Sequence, residues 1–416
     1  MNLNRNYHWA VLSMMFMITA CSAEQQSAAP DAARDDFILF KAGENGYAQC
    51  RIPAIAITPK GTILTFCEAR KNSKSDWADI DILMRRSTDG GDTWEPAVML
   101  VDGSGDFKAN PVSLKQGLAK EGEITVNNPA PVVDEQTGQL HLLHCIEYAQ
   151  CFYMVSTDEG NTFSEPVEIT ATFEQFRADY DWKVIATGPG HGIQLENGRL
   201  IVPVWMSDGT GGHAHRPSVV STIFSDDHGK TWERGDIVAT TIPEAPNPSE
   251  TLALQLQDGR VMLNIRNESS RNRRLIAVSP DGATNWTTPE FDEELFEPIC
   301  MASVIRLSQT PESNKNRILF VNPDSRNAPP NRPGRPNYPR QNITARLSYD
   351  EGNTWPVTKV LETGKSGYSD LAVGPDGRIY CFFERSIAGE RDTYTATLTV
   401  SRFTLEWLTD GQDSLN

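Results

Sequence analysis

The residues able to do chemistry here are scattered polar singletons: Arg51, Glu68, Arg70, Asp76, Asn128, Glu250, Arg266, Arg340, Tyr368 and Glu384. Arginines suit the binding of an anion, because a guanidinium keeps its charge and makes paired, charge-assisted hydrogen bonds to a planar acceptor. Carboxyl groups can give or take protons, and a phenol that passes its proton to a carboxylate becomes a nucleophile. A lone arginine is most often a surface ion pair. The set acquires meaning only if a fold draws together positions that run from residue 51 to residue 384. The chain has no Cys-x-x-Cys, and its seven histidines are scattered, with His213 and His215 the closest pair. That gives little support for a zinc site, and neither a metal nor an organic cofactor is expected.

Two periodic signals supply the elements that must position these residues. The first is a glycine turn followed by a short apolar strand, starting at Gly61, Gly138, Gly198, Gly259 and Gly377. The last interval is close to twice the two before it, which places a missing member near Asn316-Arg-Ile-Leu-Phe-Val321, with Asn316 taking the left-handed conformation that glycine otherwise fills. The second signal is Ser-x-Asp-x-Gly-x-Thr-Trp. It begins at Ser87, Ser156, Ser225 and Ser348, with Phe163 replacing Trp in the second copy, and a worn copy begins at Ser279. These copies look like Asp-boxes, hairpin turns in which Ser and Asp cap backbone N–H groups and the aromatic packs between strands. Units of about 60 residues with several short strands predict an all-β fold, a six-bladed β-propeller of four-stranded antiparallel blades. Phe37–Phe40 is expected to join the last blade near Thr395–Phe403 and close the ring, removing its open sheet edges. The propeller is expected to span residues 36–410.

With the repeats set aside, the chain resembles the exo-α-sialidases (neuraminidases) of the bacterial and animal type. The resemblance runs from about residue 37 to 408. It rests on Arg51-Ile-Pro53, the four good Asp-boxes, Gly188-Pro-Gly-His-Gly-Ile193 and Tyr368-Ser-Asp-Leu371. It implies that Arg51, Arg266 and Arg340 grip the carboxylate of a sialic acid, with Glu384 orienting the first of them. It further implies that Tyr368 is the nucleophile and Glu250 accepts its proton. A neutral phenol avoids the repulsion that an attacking carboxylate would meet at a carbon already bearing one. Asp76 matches the acid/base, with Asp79 a close competitor, and activity is then expected to fall at high pH as Asp76 loses its proton. Glu68, Arg70 and Asn128 fall at pocket positions near the ring hydroxyl or N-acyl group. Where animal relatives carry two tyrosines after the Val-Pro strand, this chain has Trp205 and Ser207, and the Pro/Arg-rich loop from Asn322 to Pro339 is expected to border the aglycone side. The implied activity is hydrolysis of terminal sialic acids from oligosaccharides, glycoproteins or glycolipids. The rivals are transfer to another sugar, hydrolysis of a related nonulosonic acid, a sialoglycan-binding propeller without catalysis, and a structural propeller.

Composition narrows the partners. Lys+Arg 38 against Asp+Glu 55 gives a net charge of −17, which disfavours nucleic acid and polybasic membrane docking. Residues 1–20 carry Arg5 and a short apolar run, as in a signal peptide, and end in Ile18-Thr19-Ala20-Cys21, which resembles a bacterial lipoprotein processing site. Lipidation of Cys21, a flexible tether over 21–35 and an exported, lipid-anchored protein of the cell envelope are expected; an ordinary secretory peptide is the alternative. Of the other cysteines, Cys145 and Cys151 could bridge a hairpin or remain buried thiols.

Overall fold

The computed structural model describes residues 34–415 except 73, 333–336, 388, 390 and 391. The leader, Cys21 and nearly all of the tether lie outside the described residues. Strands dominate, and the helices are single turns such as Pro111–Lys115 and Leu405–Leu408. Among the described residues no helix is long and apolar enough to cross a membrane.

The strands fill antiparallel sheets in chain order. The first sheet holds Gln49–Ile57, Ile63–Arg70, Ile80–Ser87 and Val98–Val101, and the second Val126–Asp134, Gln139–Ile146, Gln150–Ser156 and Val167–Glu168. A third, of six strands, is built around Leu200–Ser207 and Ser218–Ser225, and a fourth starts at Thr251–Gln255. The last sheet has seven strands, from Ser303–Ser308 to Thr397–Phe403 with Asp35–Lys41 added at its edge. Its 17-residue strand Val357–Val373 pairs through Lys365 with Gln341–Ser348 and from Ser366 onward with Ile379–Arg385. That strand is therefore the outer member of one four-stranded group and the inner member of the next. The N-terminal pairing expected from sequence is present, with Phe37 opposite Val400.

The five predicted glycine turns all have φ between +72° and +94°. Asn316 departs from expectation, because it is not among the residues with positive φ. It shapes its turn with its side chain, Oδ1 accepting from the Thr310 N–H at 2.9 Å, so a side-chain hydrogen bond does what a left-handed backbone does elsewhere.

The Asp-boxes fold as local knots. In the second, Ser156 Oγ accepts from the Gly160 N–H at 2.9 Å, and Asp158 accepts from the Thr162 N–H at 2.8 Å and its hydroxyl at 2.7 Å. Each box also touches the sheet before it. A β-carbon on Gly160 would run into Leu64 of the first sheet. The first box touches the last sheet, where Tyr380 Oη and Arg402 donate to the Gly90 carbonyl at 2.9 and 2.8 Å. First and last sheets also share a core in which Ile55 and Cys67 meet Tyr380, Phe382 and Val400. The buried Asp370 carboxylate accepts from the Ile55 N–H at 3.0 Å and Ser303 Oγ at 2.9 Å and contacts His191 Nδ1 at 2.7 Å. One side chain thus ties together the first, third and last sheets. The six described cysteines past Cys21 are buried free thiols; Cys145 and Cys151 face each other across their hairpin without a disulfide.

Candidate active site

Site residues come from strand ends and from places where the ladder is interrupted. In Gln49–Ile57 the register slips between Arg51 and Ala54, and Ile52 sits at φ +58°. A β-branched residue rarely tolerates that conformation. It is held because the Ile52 N–H and Arg51 Nε both donate to Glu384 Oε1, at 3.3 and 2.9 Å. Glu384 is fully buried, and its second oxygen accepts from the Tyr368 N–H at 3.1 Å. The next sheet repeats the device, with a slip between Asn127 and Ala130 and Asn128 at φ +55°. Arg266 and Arg340 flank strand ends, Glu250 precedes Thr251, and Tyr368 lies in the slip between Ser366 and Ser369.

Arg51, Asn128, Glu250, Arg266, Arg340 and Tyr368, together with Asp76, open onto one cavity of about 660 Å³, which Glu384 supports from behind without lining it. Tyr368 is 5% exposed. Its hydroxyl donates to Glu250 Oε1 and accepts from Arg266 Nη1 at 2.8 Å, while Arg266 also pairs with the other Glu250 oxygen. Burial and then the Glu250 charge push the phenol pKa well above its usual value, outweighing the opposite pull of Arg266, Arg340 and Arg51. The resting phenol keeps its proton, aimed at the carboxylate that could receive it.

Asp76 also lines the cavity, and its side chain is 44% exposed. It pairs with Arg70 at 2.8 Å and Arg51 at 3.5 Å. Burial would raise its pKa, but Arg70 and Arg51, with His215, outweigh that and hold the carboxyl well below the usual range. The expected loss of the Asp76 proton at high pH therefore does not describe the free protein, in which Asp76 is already ionised at neutral pH. Asp79 is bound to Lys71 at 2.9 Å and does not line the cavity. Glu68 and Arg70, expected beside the sugar, do not line it either. Both are fully buried behind Asp76, where Glu68 joins Arg70 at 2.8 Å to the Asn128 N–H at 3.1 Å. Of the two residues that replace the tyrosines, Trp205 faces the cavity, while Ser207 is buried and accepts from the Gly209 N–H at 3.1 Å.

Several lining residues had no role in the sequence reading, among them Tyr148, His215 and Tyr394. Tyr148 and His215 pack ring to ring at 4.9 Å and join Trp77 and Trp205 in one aromatic wall. Tyr148 reaches the wall from a hairpin in which Glu147 and Tyr148 both have positive φ, which no residue type there announces. Tyr394 stands over Arg51 and Arg340 and belongs to no motif. The predicted aglycone-side loop does reach the rim, through Asn331, Asn337, Tyr338 and Pro339. Among the described residues no group of three or more His, Cys, Asp or Glu is arranged to hold a metal ion.

Residues 61–381 match the BNR repeat-like domain, well over half of the chain. The chain belongs to that family. Within this BNR-repeat family the chain is similar to a sialidase of Micromonospora viridifaciens, 29% identical over 396 residues covering 88% of this chain and 53% of that protein. A sialidase of Bacteroides fragilis (strain YCH46) is 30% identical over 373 residues, 83% of this chain and 62% of that one. The BNR-repeat chain thus spans between about half and two thirds of these two relatives. The solved Hadza microbial sialidase Hz136 superposes with a TM-score of 0.70 at 26% identity, covering 90% of this chain and 69% of that chain. The family resemblance read from the motifs is therefore to sialidases along nearly the whole described region.

Proposed function

We propose that this chain is a retaining exo-α-sialidase that hydrolyses terminal sialic acids from oligosaccharides, glycoproteins and glycolipids, with Tyr368 as nucleophile. The observation that carries the reading is the Tyr368 hydroxyl held between Glu250 and Arg266 on the wall of a cavity that three arginines share. In the scheme, Arg51, Arg266 and Arg340 take the sugar carboxylate. That anion competes with Asp76 for Arg51, so the Asp76 pKa rises in the complex and a proton becomes available for the departing glycosidic oxygen. Tyr368 attacks the anomeric carbon while its proton passes to Glu250. Water, deprotonated by Asp76, then attacks the same carbon and breaks its bond to the Tyr368 oxygen, to which Glu250 returns the proton, and two inversions give net retention. On the same reading the sheets are six blades of a propeller, with Val357–Val373 serving two of them, and Cys21 carries the lipid that anchors an exported protein.

Release of a fluorogenic aglycone from an α-sialoside tests the activity, and proton NMR of the first-formed sugar tests the stereochemistry. Turnover should yield the α-anomer, and Tyr368→Phe should lose on the order of 10³-fold in kcat. A wild type that binds sialyllactose without turning it over would replace the enzyme by a lectin. Cys21→Ser should leave the membrane fraction; unchanged fractionation would remove the anchor.

A further inference from the structure

The three arginines of the cavity are held differently. Arg51 has Glu384 and Arg266 has Glu250. Arg340 has no carboxylate partner among the described residues, and its Nη2 donates to the Ile299 carbonyl at 2.8 Å. Arg340 nevertheless shares its surroundings with Arg51, a like charge. Both guanidinium carbons lie 5.0 Å from the centre of the Tyr368 ring and 5.6 Å from that of the Tyr394 ring. Two cations and two rings therefore alternate around a closed figure, each cation facing both rings. An aromatic face carries negative charge density and draws a guanidinium toward it.

Tyr368 has its place in the proposed reaction, whereas Tyr394 has none so far. It lines the cavity and lies just ahead of the strand Thr397–Phe403. It also presses on the backbone before Tyr368, since a β-carbon on Gly367 would meet Tyr394 Cδ2 at 2.8 Å. We infer that Tyr394 is a positioning residue whose ring holds Arg51 and Arg340 side by side, in the attitude that grips one carboxylate, and offsets their repulsion while the cavity is empty. The inference rests on the sialidase reading for the identity of that carboxylate, and it adds the residue that sets how strongly the cavity prefers an acidic sugar to its neutral ester. Tyr394 acts through the arginines and not on the reacting atoms. Its loss weakens the grip on ground state and transition state alike, so KM rises while kcat stays.

Kinetics of Tyr394→Phe and Tyr394→Leu test this. The Phe variant, which keeps the ring, should stay within about twofold of wild type. The Leu variant should raise KM about tenfold with kcat changed by less than about threefold. It should also lose about the same factor in preference for a methyl α-sialoside over its methyl ester as competing inhibitors. An unchanged KM, a fall in kcat alone, or a Phe variant as impaired as the Leu variant would overturn the inference. A second measurement does not depend on turnover. The ¹⁵N–¹H signals of the Arg51 and Arg340 Nε–H groups should shift in Tyr394→Leu and hold in Tyr394→Phe. Unmoved signals in the Leu variant dispose of the clamp, whereas shifted signals in a protein without sialosidase activity or sialoside binding leave the clamp standing and sink the sialidase reading.

Discussion

The Asp-box turns and the cavity spend the same residue types in opposite ways. Asp158 is satisfied within its own turn, by Ser156 and Thr162, and Asp227 repeats the pattern with Ser225 and Thr231. Several carboxylates in and behind the cavity find partners far along the chain: Glu250 on its wall takes the Tyr368 hydroxyl, and the buried Glu384 and Asp370 hold Arg51 and the Ile55 N–H. A locally satisfied acid fixes a turn whatever the rest of the molecule does. An acid whose partner lies on another sheet is satisfied only once the whole array has assembled, so it can be placed for chemistry instead of local stability. Substitutions in the cavity should therefore cost activity with little stability, and substitutions in the boxes the reverse.

The hardest test of that contrast is Glu250→Gln. The amide keeps the shape but cannot take the phenol proton, so kcat should fall on the order of 10³-fold with the unfolding midpoint nearly unchanged. A midpoint that collapses with the activity would erase the distinction. Asp76→Asn should cost about 10²-fold or more on a sialoside with a sugar aglycone and less than about tenfold with a nitrophenyl leaving group, which departs without a proton. For wild type, kcat should rise as pH falls from neutral toward mildly acidic, because Asp76 protonates more readily once the substrate carboxylate draws on Arg51. The basic limb of kcat should accordingly lie at higher pH than any Asp76 limb in kcat/KM, which reports the free protein. Coincident limbs would mean that the bound sugar does not loosen the Arg51–Asp76 pair.

The same contrast explains what was legible beforehand. Box turns and glycine turns could be read because their determinants sit within eight residues, and the N-terminal strand because its partner was the one edge left open. Arg51, Glu250, Tyr368 and Glu384 were legible only through a resemblance to a known family, since their partners are separated by up to 333 positions. Where that resemblance was coarse, contacts decided otherwise: Glu68 and Arg70 stand behind Asp76 because two buried charges satisfy each other there. Tyr148 and Tyr394 were missed because a left-handed hairpin and a stacked ring leave no periodic trace. Asn316 shows the converse, a turn predicted in the right place but made by a side-chain hydrogen bond.

In the scaffold the expected effects are smaller and confined to stability. Gly160→Ala would place a methyl group against Leu64 at a backbone φ of +74°, costing about 2 kcal/mol or somewhat more in denaturant unfolding with kcat retained. The subtlest case is His144. It is fully buried with neither ring nitrogen partnered, and burial pushes its pKa from 6.5 down to about 3. Folded, it stays neutral; unfolded, it takes a proton below about 6.5. Its contribution is therefore present above that pH and is lost progressively as pH falls toward 3, because protons favour the unfolded chain. His144→Phe, which keeps a ring against Phe152 at the position of the present 5.7 Å stacking, should flatten part of the acid side of the stability curve between pH 6.5 and 4. Activity at neutral pH should be unaffected, since His144 does not line the cavity. A variant with the wild-type acid slope would show that His144 is not the group responsible, leaving His141, pushed down to about 4 by burial against the opposing pull of Asp134, as the next to replace.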